Sequence, residues 1–158
     1  MPQLVIKRDD LADGVVAALL MEHHREMRIY SPPQSIHALE SSQLRDPRVT
    51  FWSAWTGSRL AGCGALKELS PDHGEVKSMR TARAHLRQGV AMEILGHIIA
   101  EAETRSYLRI SLETGTHDAF LPARTLYERC GFRRCDPFGD YVYDPYSVYY
   151  EKELAVID

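Results

Sequence analysis

The sequence contains few cysteines, no long apolar run and no excess of positive charge. Its three cysteines, Cys63, Cys130 and Cys135, are odd in number and follow no metal-ligand spacing, so we expect free thiols in a reducing compartment and no metal site. No apolar run approaches the length of a membrane span, and residues 1–10 lack the apolar core of a signal peptide. These absences predict a cytoplasmic protein that is not embedded in a membrane.

The charge and the length of the chain limit its partners and its organisation. The formal net charge is −3, whereas a nucleic-acid-binding domain carries a strongly basic surface, so nucleic acid is not an expected partner. A chain of 158 residues buries a sizeable core when it folds, and no repeat or low-complexity linker divides it. We therefore predict one domain that spans residues 1–158.

Hydrophobic periodicity and turn signals predict an alternation of strands and helices. The expected order is one strand, two helices, three strands, a helix, a strand, a helix and two strands. Ser35 is a candidate cap for the second helix, which would run to Leu44. Thr56-Gly57-Ser58 predicts a hairpin, and Pro71-Asp72-His73-Gly74 predicts a turn before a strand that begins at Glu75.

Two glycines in the predicted strand from Leu60 to Leu66 lie on one face of the sheet. Gly62 and Gly64 are two residues apart, and residues two apart in a strand share a face. Glycine at such positions leaves room for the close approach of another backbone or of a ligand. We therefore expect another element or a ligand to lie against this strand.

The segment from Glu75 to Thr114 is the most informative part of the sequence. It predicts a strand, a basic loop, an amphipathic helix that begins after Gly89, and a further strand. Free backbone N–H groups and the helix dipole at such a helix start attract an anion such as a pyrophosphate. Arg80, Arg83 and Arg87 lie just upstream, so we expect positive charge to gather beside this anion site.

Two motifs in the chain resemble those of the GNAT acetyltransferase superfamily. Residues 86–91 resemble the family's Gln/Arg-x-x-Gly-x-Gly/Ala loop for acetyl-CoA: Gly89 and Ala91 match, whereas Leu86 stands where Gln or Arg is usual. Residues 122–132 resemble the family's Ala-x-x-Leu-Tyr-x-x-x-Gly-Phe ending. The resemblance covers nearly the whole chain. It implies an α/β fold (mixed α+β), with a central mixed, mostly antiparallel sheet and helices on both faces.

The resemblance also implies how acetyl-CoA, as the co-substrate, is held. In this family the fourth and fifth strands splay apart, and the pantetheine arm enters the gap. A backbone N–H near Met79 then faces the thioester oxygen, where a preorganised donor stabilises developing negative charge. The matching positions are Met79, Arg80 and Thr81 for the pantetheine arm, and Arg87, Gln88, Gly89, Val90 and Ala91 for the pyrophosphate. Tyr127 matches the tyrosine that lies at the CoA sulfur and protonates the departing thiolate, so it is both a catalytic and a cofactor-binding candidate.

The base that deprotonates the acceptor amine is the second catalytic group that the resemblance implies. Glu75 matches a glutamate at a strand start that some members use as general base, often through a water. An acidic residue between a turn and a strand is as often only solvated, so both interpretations stay open. His23, His24 and His37 are rival bases.

The implied activity is N-acetylation of a small-molecule amine by direct transfer in a ternary complex, since no cysteine falls in the predicted catalytic positions. The acceptor would lie between the first two helices and the loop at 137–146, where Arg25 and Arg28 either hold a carboxylate or only cover the helix surface. A transferase for other acyl groups and a non-catalytic acetyl-CoA-binding module are alternatives. A nucleotide-binding phosphate loop would need a Gly-Lys-Ser/Thr ending, which this loop lacks. A homodimer is one assembly that the sequence leaves open.

Overall fold

The structure, a computed structural model, describes residues 3–36 and 43–155. Its helices are α1 (Gly14–Tyr30), α2 (Val90–Thr104) and α3 (Leu121–Arg129). Its strands are β1 (Leu4–Arg8), β2 (Val49–Thr56), β3 (Arg59–Ser70), β4 (His73–Thr81), β5 (Arg109–Gly115), β6 (Arg133–Cys135) and β7 (Ser147–Glu153). Short 3₁₀ turns lie at Pro33–Ser35, Gln43–Arg45, Arg83–His85 and Asp118–Phe120.

The strands form one sheet in the order β1-β2-β3-β4-β5-β7-β6. Neighbouring strands are antiparallel except β4 and β5, which are parallel. The expected mixed, mostly antiparallel sheet is therefore confirmed. The hairpin at Thr56-Gly57-Ser58 is confirmed as well, because β2 ends at Thr56, β3 begins at Arg59, and Gly57 has a φ of +60°.

Helices cover both faces of this sheet, as expected. One face carries α2, the predicted amphipathic helix, which buries the apolar stripe Val90, Ile94, Leu95, Ile98 and Ala102. A Cβ added to Gly64 would lie 2.8 Å from the Ile94 side chain, so the element that approaches Gly64 is α2. The opposite face carries α1, which buries Val16, Leu19 and Leu20 in a second cluster with residues of β2 and β3.

Two predicted boundaries differ from the structure. Ser35 lies inside a 3₁₀ turn that is followed by extended Ile36, so it does not begin a helix; residues 37–42 of the predicted second helix lie outside the described residues. Strand β4 begins at His73 and not at Glu75, because His73 and Gly74 already pair with β3 and with β5. No helix in the described parts of the chain is long and apolar enough to cross a membrane.

A gap between β4 and β5 is the feature of the fold that positions the site. The two strands pair only at His73, Gly74 and Glu75 of β4, although β4 continues to Thr81 and β5 to Gly115. The register of β3 and β4 shifts between Cys63 and Ala65, so two residues of β4 face one residue of β3, and Ser78 has a φ of +57°. Such a bulge bends a strand and strengthens its twist. The bend therefore turns the second half of β4 away from β5.

Candidate active site

A cavity of about 100 Å³ lies where β4 and β5 separate. Its lining comes from α1, β4, β5, α3 and the loop before β7, and it includes Met27, Glu75, Lys77, Ser78, Met79, Glu113, Phe120, Tyr127 and Tyr141. The structure thus brings together three residues that the sequence places far apart, Glu75, Met79 and Tyr127. In the described parts of the chain, no group of three or more histidine, cysteine or acidic side chains could hold a metal ion.

The main chain of β4 is open towards the gap at Met79 and Thr81. Ala82 donates its backbone N–H to Ala61 of β3 at 2.8 Å, and the Arg80 carbonyl oxygen would lie 2.7 Å from a Cβ on Gly62, so Ala82 and Arg80 face β3. Polar groups of successive residues point to opposite edges of a strand. Met79 and Thr81 therefore face the gap, whereas the main chain of Arg80 faces β3; the role of Arg80 in holding the pantetheine arm stays a prediction.

The start of α2 has the open backbone that an anion site needs. Gly89 is the N-cap residue with a φ of +80°, and no side chain in the described parts of the chain caps this helix. A Cβ added to Gly89 would have no atom within 4 Å. Arg87 also has a positive φ, of +64°, and such strain in a residue other than glycine is typical of functional loops. The predicted helix start and its open N–H groups are confirmed.

Two of the three arginines that precede this helix start, Arg80 and Arg83, form ion pairs with α1. Arg80 donates from Nη1 to Glu26 Oε2 at 2.7 Å and from Nη2 to Glu22 Oε1 at 3.0 Å. Arg83 Nη2 lies 3.3 Å from Glu26 Oε1. These partners lie on α1, more than 50 residues away in sequence. Both guanidinium groups thus form ion pairs with α1, and their contribution to a phosphate site stays a prediction.

Glu75 is buried in the cavity and is not a solvated strand end. Its Oε2 accepts a hydrogen bond from the Tyr141 hydroxyl at 2.6 Å, and Lys77 Nζ lies 3.1 Å from the same oxygen. Lys77 Nζ also donates to the Tyr141 hydroxyl at 2.9 Å. The side chains of Glu75 and Lys77 are only 4% and 8% exposed. Two donors therefore stabilise the negative charge of Glu75 on one oxygen, while its Oε1 makes no hydrogen bond within the described residues.

Glu113 is a second carboxylate in the cavity, and sequence reasoning missed it. It lies on β5, and its Oε2 accepts a hydrogen bond from the Ser147 hydroxyl at 2.7 Å. Burial raises the pKa of Glu113 to about 7, although Ser147 and Lys77 act in the opposite direction. A carboxyl with this pKa exchanges its proton near neutral pH. Glu113 is the neighbour of buried Leu112 on β5, and it becomes part of a site only through the gap between β4 and β5.

Tyr127 lies on α3 with its ring in the core and its hydroxyl at the cavity. The ring packs edge to face against Phe132, with centroids 6.0 Å apart, and burial raises its pKa far above the usual value. Its hydroxyl makes no hydrogen bond to the described residues, so it is available to a molecule in the cavity. The helix is confirmed from its proline-first start to Gly131, which has a φ of +92°.

The rival histidine bases lie in unequal places. His23 lines the cavity, where burial and the neighbouring Arg80 charge lower its pKa to about 4. Its imidazole is therefore neutral at pH 7 and a weak proton acceptor. His24 does not line the cavity, and His37 lies outside the described residues.

Two of the segments that were expected to wall the acceptor site contribute residues to the cavity. Tyr141 of the loop at 137–146 and Met27 of α1 line the cavity, whereas Arg25 and Arg28 are exposed on α1 and do not. This geometry favours a surface role for both arginines. The cysteines do not line the cavity either; all three are free thiols, and burial raises the pKa of Cys63 to about 12.

Comparisons with known proteins agree with this geometry. Residues 16–132 match the sequence model of the Acetyltransferase (GNAT) family. A Bacillus subtilis protein named uncharacterized N-acetyltransferase YsnE is 58% identical over 149 residues, which are 94% of this chain and 99% of that protein. The Escherichia coli uncharacterized N-acetyltransferase YedL is 53% identical over 150 residues, 95% of this chain and 94% of that protein. A Bacillus subtilis acetyltransferase solved in complex with CoA shares the fold, with a TM-score of 0.71 and 18% identity over 97% of this chain and 100% of that chain.

Proposed function

The chain belongs to the GNAT acetyltransferase family and is an acetyl-CoA-dependent N-acetyltransferase, and from this premise we propose that it acetylates a small-molecule amine by direct transfer in a ternary complex. The observation that carries the proposal is the cavity at the gap between β4 and β5. It joins an open strand edge at Met79 with a free tyrosine hydroxyl at Tyr127 and with the carboxylates of buried Glu75 and half-buried Glu113.

Acetyl-CoA fits the residues that surround this gap. The uncapped start of α2 at Gly89 offers N–H groups to a pyrophosphate, and Arg87, Gln88, Val90 and Ala91 flank it. The free edge of β4 at Met79 and Thr81 offers main-chain partners to an extended arm, as an added strand would use them. We propose that the thioester oxygen lies at the Met79 N–H, which stabilises negative charge as it develops there.

The proposed transfer forms one bond, breaks one bond and moves two protons. The lone pair of the neutral amine forms a bond to the acetyl carbonyl carbon, and the bond from that carbon to the CoA sulfur breaks. The Tyr127 hydroxyl donates a proton to the departing sulfur, and a carboxylate accepts a proton from the amine. No cysteine lines the cavity, which supports transfer without an acetyl-cysteine step.

The accepting carboxylate is either Glu75 or Glu113. Glu75 is the candidate from the sequence, and its assignment stays a prediction. Glu113 is favoured by its environment, because a pKa of about 7 makes it a stronger base than an ordinary carboxylate and leaves about half of it ionised at neutral pH.

Two neighbouring functions are alternatives. A transferase for longer acyl groups would use the same gap between β4 and β5, and its rate with longer acyl-CoA donors distinguishes it. A non-catalytic acetyl-CoA-binding module would not require the cavity carboxylates or the free tyrosine hydroxyl.

A cytoplasmic location accords with the three free thiols. The homodimer stays a prediction, which light scattering on the purified protein tests.

The experiment that tests the proposed function is a screen of amines for CoA release, with the acetylated product identified by mass. Product with at least one amine, and none in the absence of the protein, supports the proposal. Binding of acetyl-CoA without product from any amine would identify a non-catalytic module instead. Faster transfer from a longer acyl-CoA would favour the other acyltransferase.

A further inference from the structure

The carboxylates that line the cavity outnumber its cations. Glu75 and Glu113 are acidic, and Lys77 is the basic side chain among the lining residues. Lys77 lies 3.1 Å from Glu75, while the donor to Glu113 is the neutral Ser147 hydroxyl. Burial with incomplete charge compensation raises the pKa of Glu113. An ammonium group that enters the cavity would supply the missing positive charge.

A carboxylate that enters the cavity would find no such compensation. Arg80 is bound to Glu22 and Glu26 of α1, and Arg25 and Arg28 do not line the cavity. The residues outside the described ranges contain no lysine or arginine. An acceptor with a carboxylate beside its amine would therefore place negative charge next to Glu75 and Glu113. The close approach of like charges strongly disfavours binding.

Two aromatic residues of the cavity lining, Phe120 and Tyr141, each belong to a cluster of aromatic rings. One group, which we term the Phe120 cluster, consists of Phe120, Tyr30 and His117; the Tyr30 and His117 ring centroids are 4.7 Å apart. The other, the Tyr141 cluster, consists of Tyr141, Phe138 and Tyr149, with centroids 5.0–6.2 Å apart. Phe120 and Tyr141 line the cavity itself. Aromatic walls favour a flat apolar group, which packs against them edge to face or offset.

Because carboxylates outnumber cations in the cavity and aromatic rings line it, we infer that the acceptor is a primary amine on an arylalkyl group. This acceptor has no carboxylate beside the amine. The inference rests on the proposed function. The ammonium group enters between the two aromatic clusters and pairs with Glu113, and the aromatic group stays at the wall formed by Phe120 and Tyr141. Arylalkylamines are then good acceptors, and the corresponding aromatic amino acids are poor ones.

Matched pairs of acceptors test the inference on the native protein. Tryptamine is compared with tryptophan, and phenethylamine with phenylalanine, by kcat/KM for CoA release; spermidine serves as a cationic acceptor without an aromatic group. We expect each amine to exceed its amino acid by about 100-fold or more, and both amines to exceed spermidine. Equal or better use of the amino acids, or of spermidine, would overturn the inference and leave the proposed function intact.

A charge placed in the acceptor wall gives a second test. Met27→Lys adds a cation to the cavity lining, whereas Met21→Lys adds it to an exposed position on the same helix, where Met21 is 64% exposed. We expect Met27→Lys to shift the preference towards the amino acid by about 10-fold and Met21→Lys to leave it unchanged. An unchanged preference in a folded Met27→Lys protein would contradict the inference.

A binding measurement separates this inference from the proposed function. Calorimetry on the CoA-loaded native protein compares tryptamine with tryptophan without any turnover. If no amine is acetylated, the proposed function fails, yet tighter binding of tryptamine still supports the recognition that we infer. Equal binding of the two, or tighter binding of tryptophan, would overturn it.

Discussion

At the scale of single residues, the environment of each polar group in the cavity decides whether it can exchange a proton. Glu75 accepts hydrogen bonds from Lys77 and from the Tyr141 hydroxyl. Glu113 has one neutral hydroxyl as its donor, and burial raises its pKa to about 7. Of these two carboxylates on neighbouring strands, Glu113 is the one whose raised pKa suits it to accept a proton near neutral pH.

The pH dependence of activity tests which carboxylate is the base. A base must be ionised to work, so with Glu113 in this role kcat/KM should rise with pH along a limb centred near pH 7. Glu113→Gln should remove this limb and lower kcat/KM by about 10²-fold or more. Glu128→Gln, at an exposed position of α3, is the control and should leave the profile unchanged.

The same measurement on Glu75→Gln decides the assignment made from the sequence. If Glu75 is the base, Glu75→Gln removes the limb and Glu113→Gln retains it. Removing one partner of a buried ion pair also destabilises a protein by about 3–5 kcal/mol, so the fold of Glu75→Gln is checked by thermal melting. Profiles that retain the limb in both variants would exclude both carboxylates.

The Tyr127 hydroxyl is expected to contribute to turnover and not to folding. Tyr127→Phe keeps the ring in contact with Phe132 and Tyr150 and removes the proposed proton donor. General acid catalysis is worth about 10²–10⁴-fold, and we expect a loss of kcat near the lower limit because water can replace the hydroxyl. The loss is measured under single-turnover conditions, with Tyr143→Phe at an exposed position as control. An unchanged rate would leave Tyr127 with a packing role only.

At the scale of elements, α2 packs so closely against β3 at Gly64 that no side chain fits at this position. A Cβ on Gly64 would lie 2.8 Å from Ile94 Cγ2 and from Met79 Sδ. Gly64→Ala should therefore lower the free energy of unfolding by about 1–3 kcal/mol. Gly96→Ala is the matched control, because Gly96 lies inside α2 with no atom within 4 Å of an added Cβ. It should raise the free energy of unfolding by about 0.5–1 kcal/mol. Urea unfolding measures both, and equal effects would contradict this account.

Elements whose conformation depends on residues close together in the chain could be predicted from the sequence. The apolar period of α2, the proline and glycine that bound α3, and the hairpin at Gly57 depend on neighbours within a few residues, and the structure confirms them. The bulge at Ser78 could not be predicted, because any residue in an extended run can take that position and the cause is its register with β3.

Contacts between elements that lie far apart in the chain could not be predicted from the sequence either. Three arginines close together suggested one basic site, but Arg80 and Arg83 find their partners on α1. Glu113 has no motif in the sequence that marks it, and it becomes part of the site only through the gap beside β4. Pairs that are set by tertiary packing leave no periodic signal in one sequence.

At the scale of the whole molecule, Glu113 should make stability depend on pH. Its folded-state pKa is raised to about 7 from 4.5, so the folded protein binds a proton that the unfolded chain releases. Stability from this residue is present at low pH and is lost as the pH rises from about 4.5 to about 7. Glu113→Gln should therefore raise the melting temperature more at pH 8 than at pH 5. An equal change at both pH values would show that the carboxyl is not perturbed.

Binding of acetyl-CoA should stabilise the whole fold, because the proposed contacts join β4, α2 and α3 across the gap. A ligand at a hundred times its dissociation constant stabilises the folded state by about 2.7 kcal/mol. For a domain of this size the melting temperature should rise by about 5–10 °C. Differential scanning fluorimetry measures the shift, with ATP and NAD as controls that should give little change.

The contribution of the helix start to this shift can be isolated at Gly89. Gly89→Glu places a side chain where φ is +80° and negative charge where the uncapped N–H groups of α2 are open. It should abolish the shift, since a carboxylate then competes with the pyrophosphate for the same donors and repels it. Gly57→Glu is the matched control, because Gly57 also has a positive φ, of +60°, but lies in the hairpin between β2 and β3. Both variants bear a similar backbone strain, so only Gly89→Glu should lose the shift. An equal loss in both would attribute it to strain, and a retained shift in Gly89→Glu would place the pyrophosphate elsewhere.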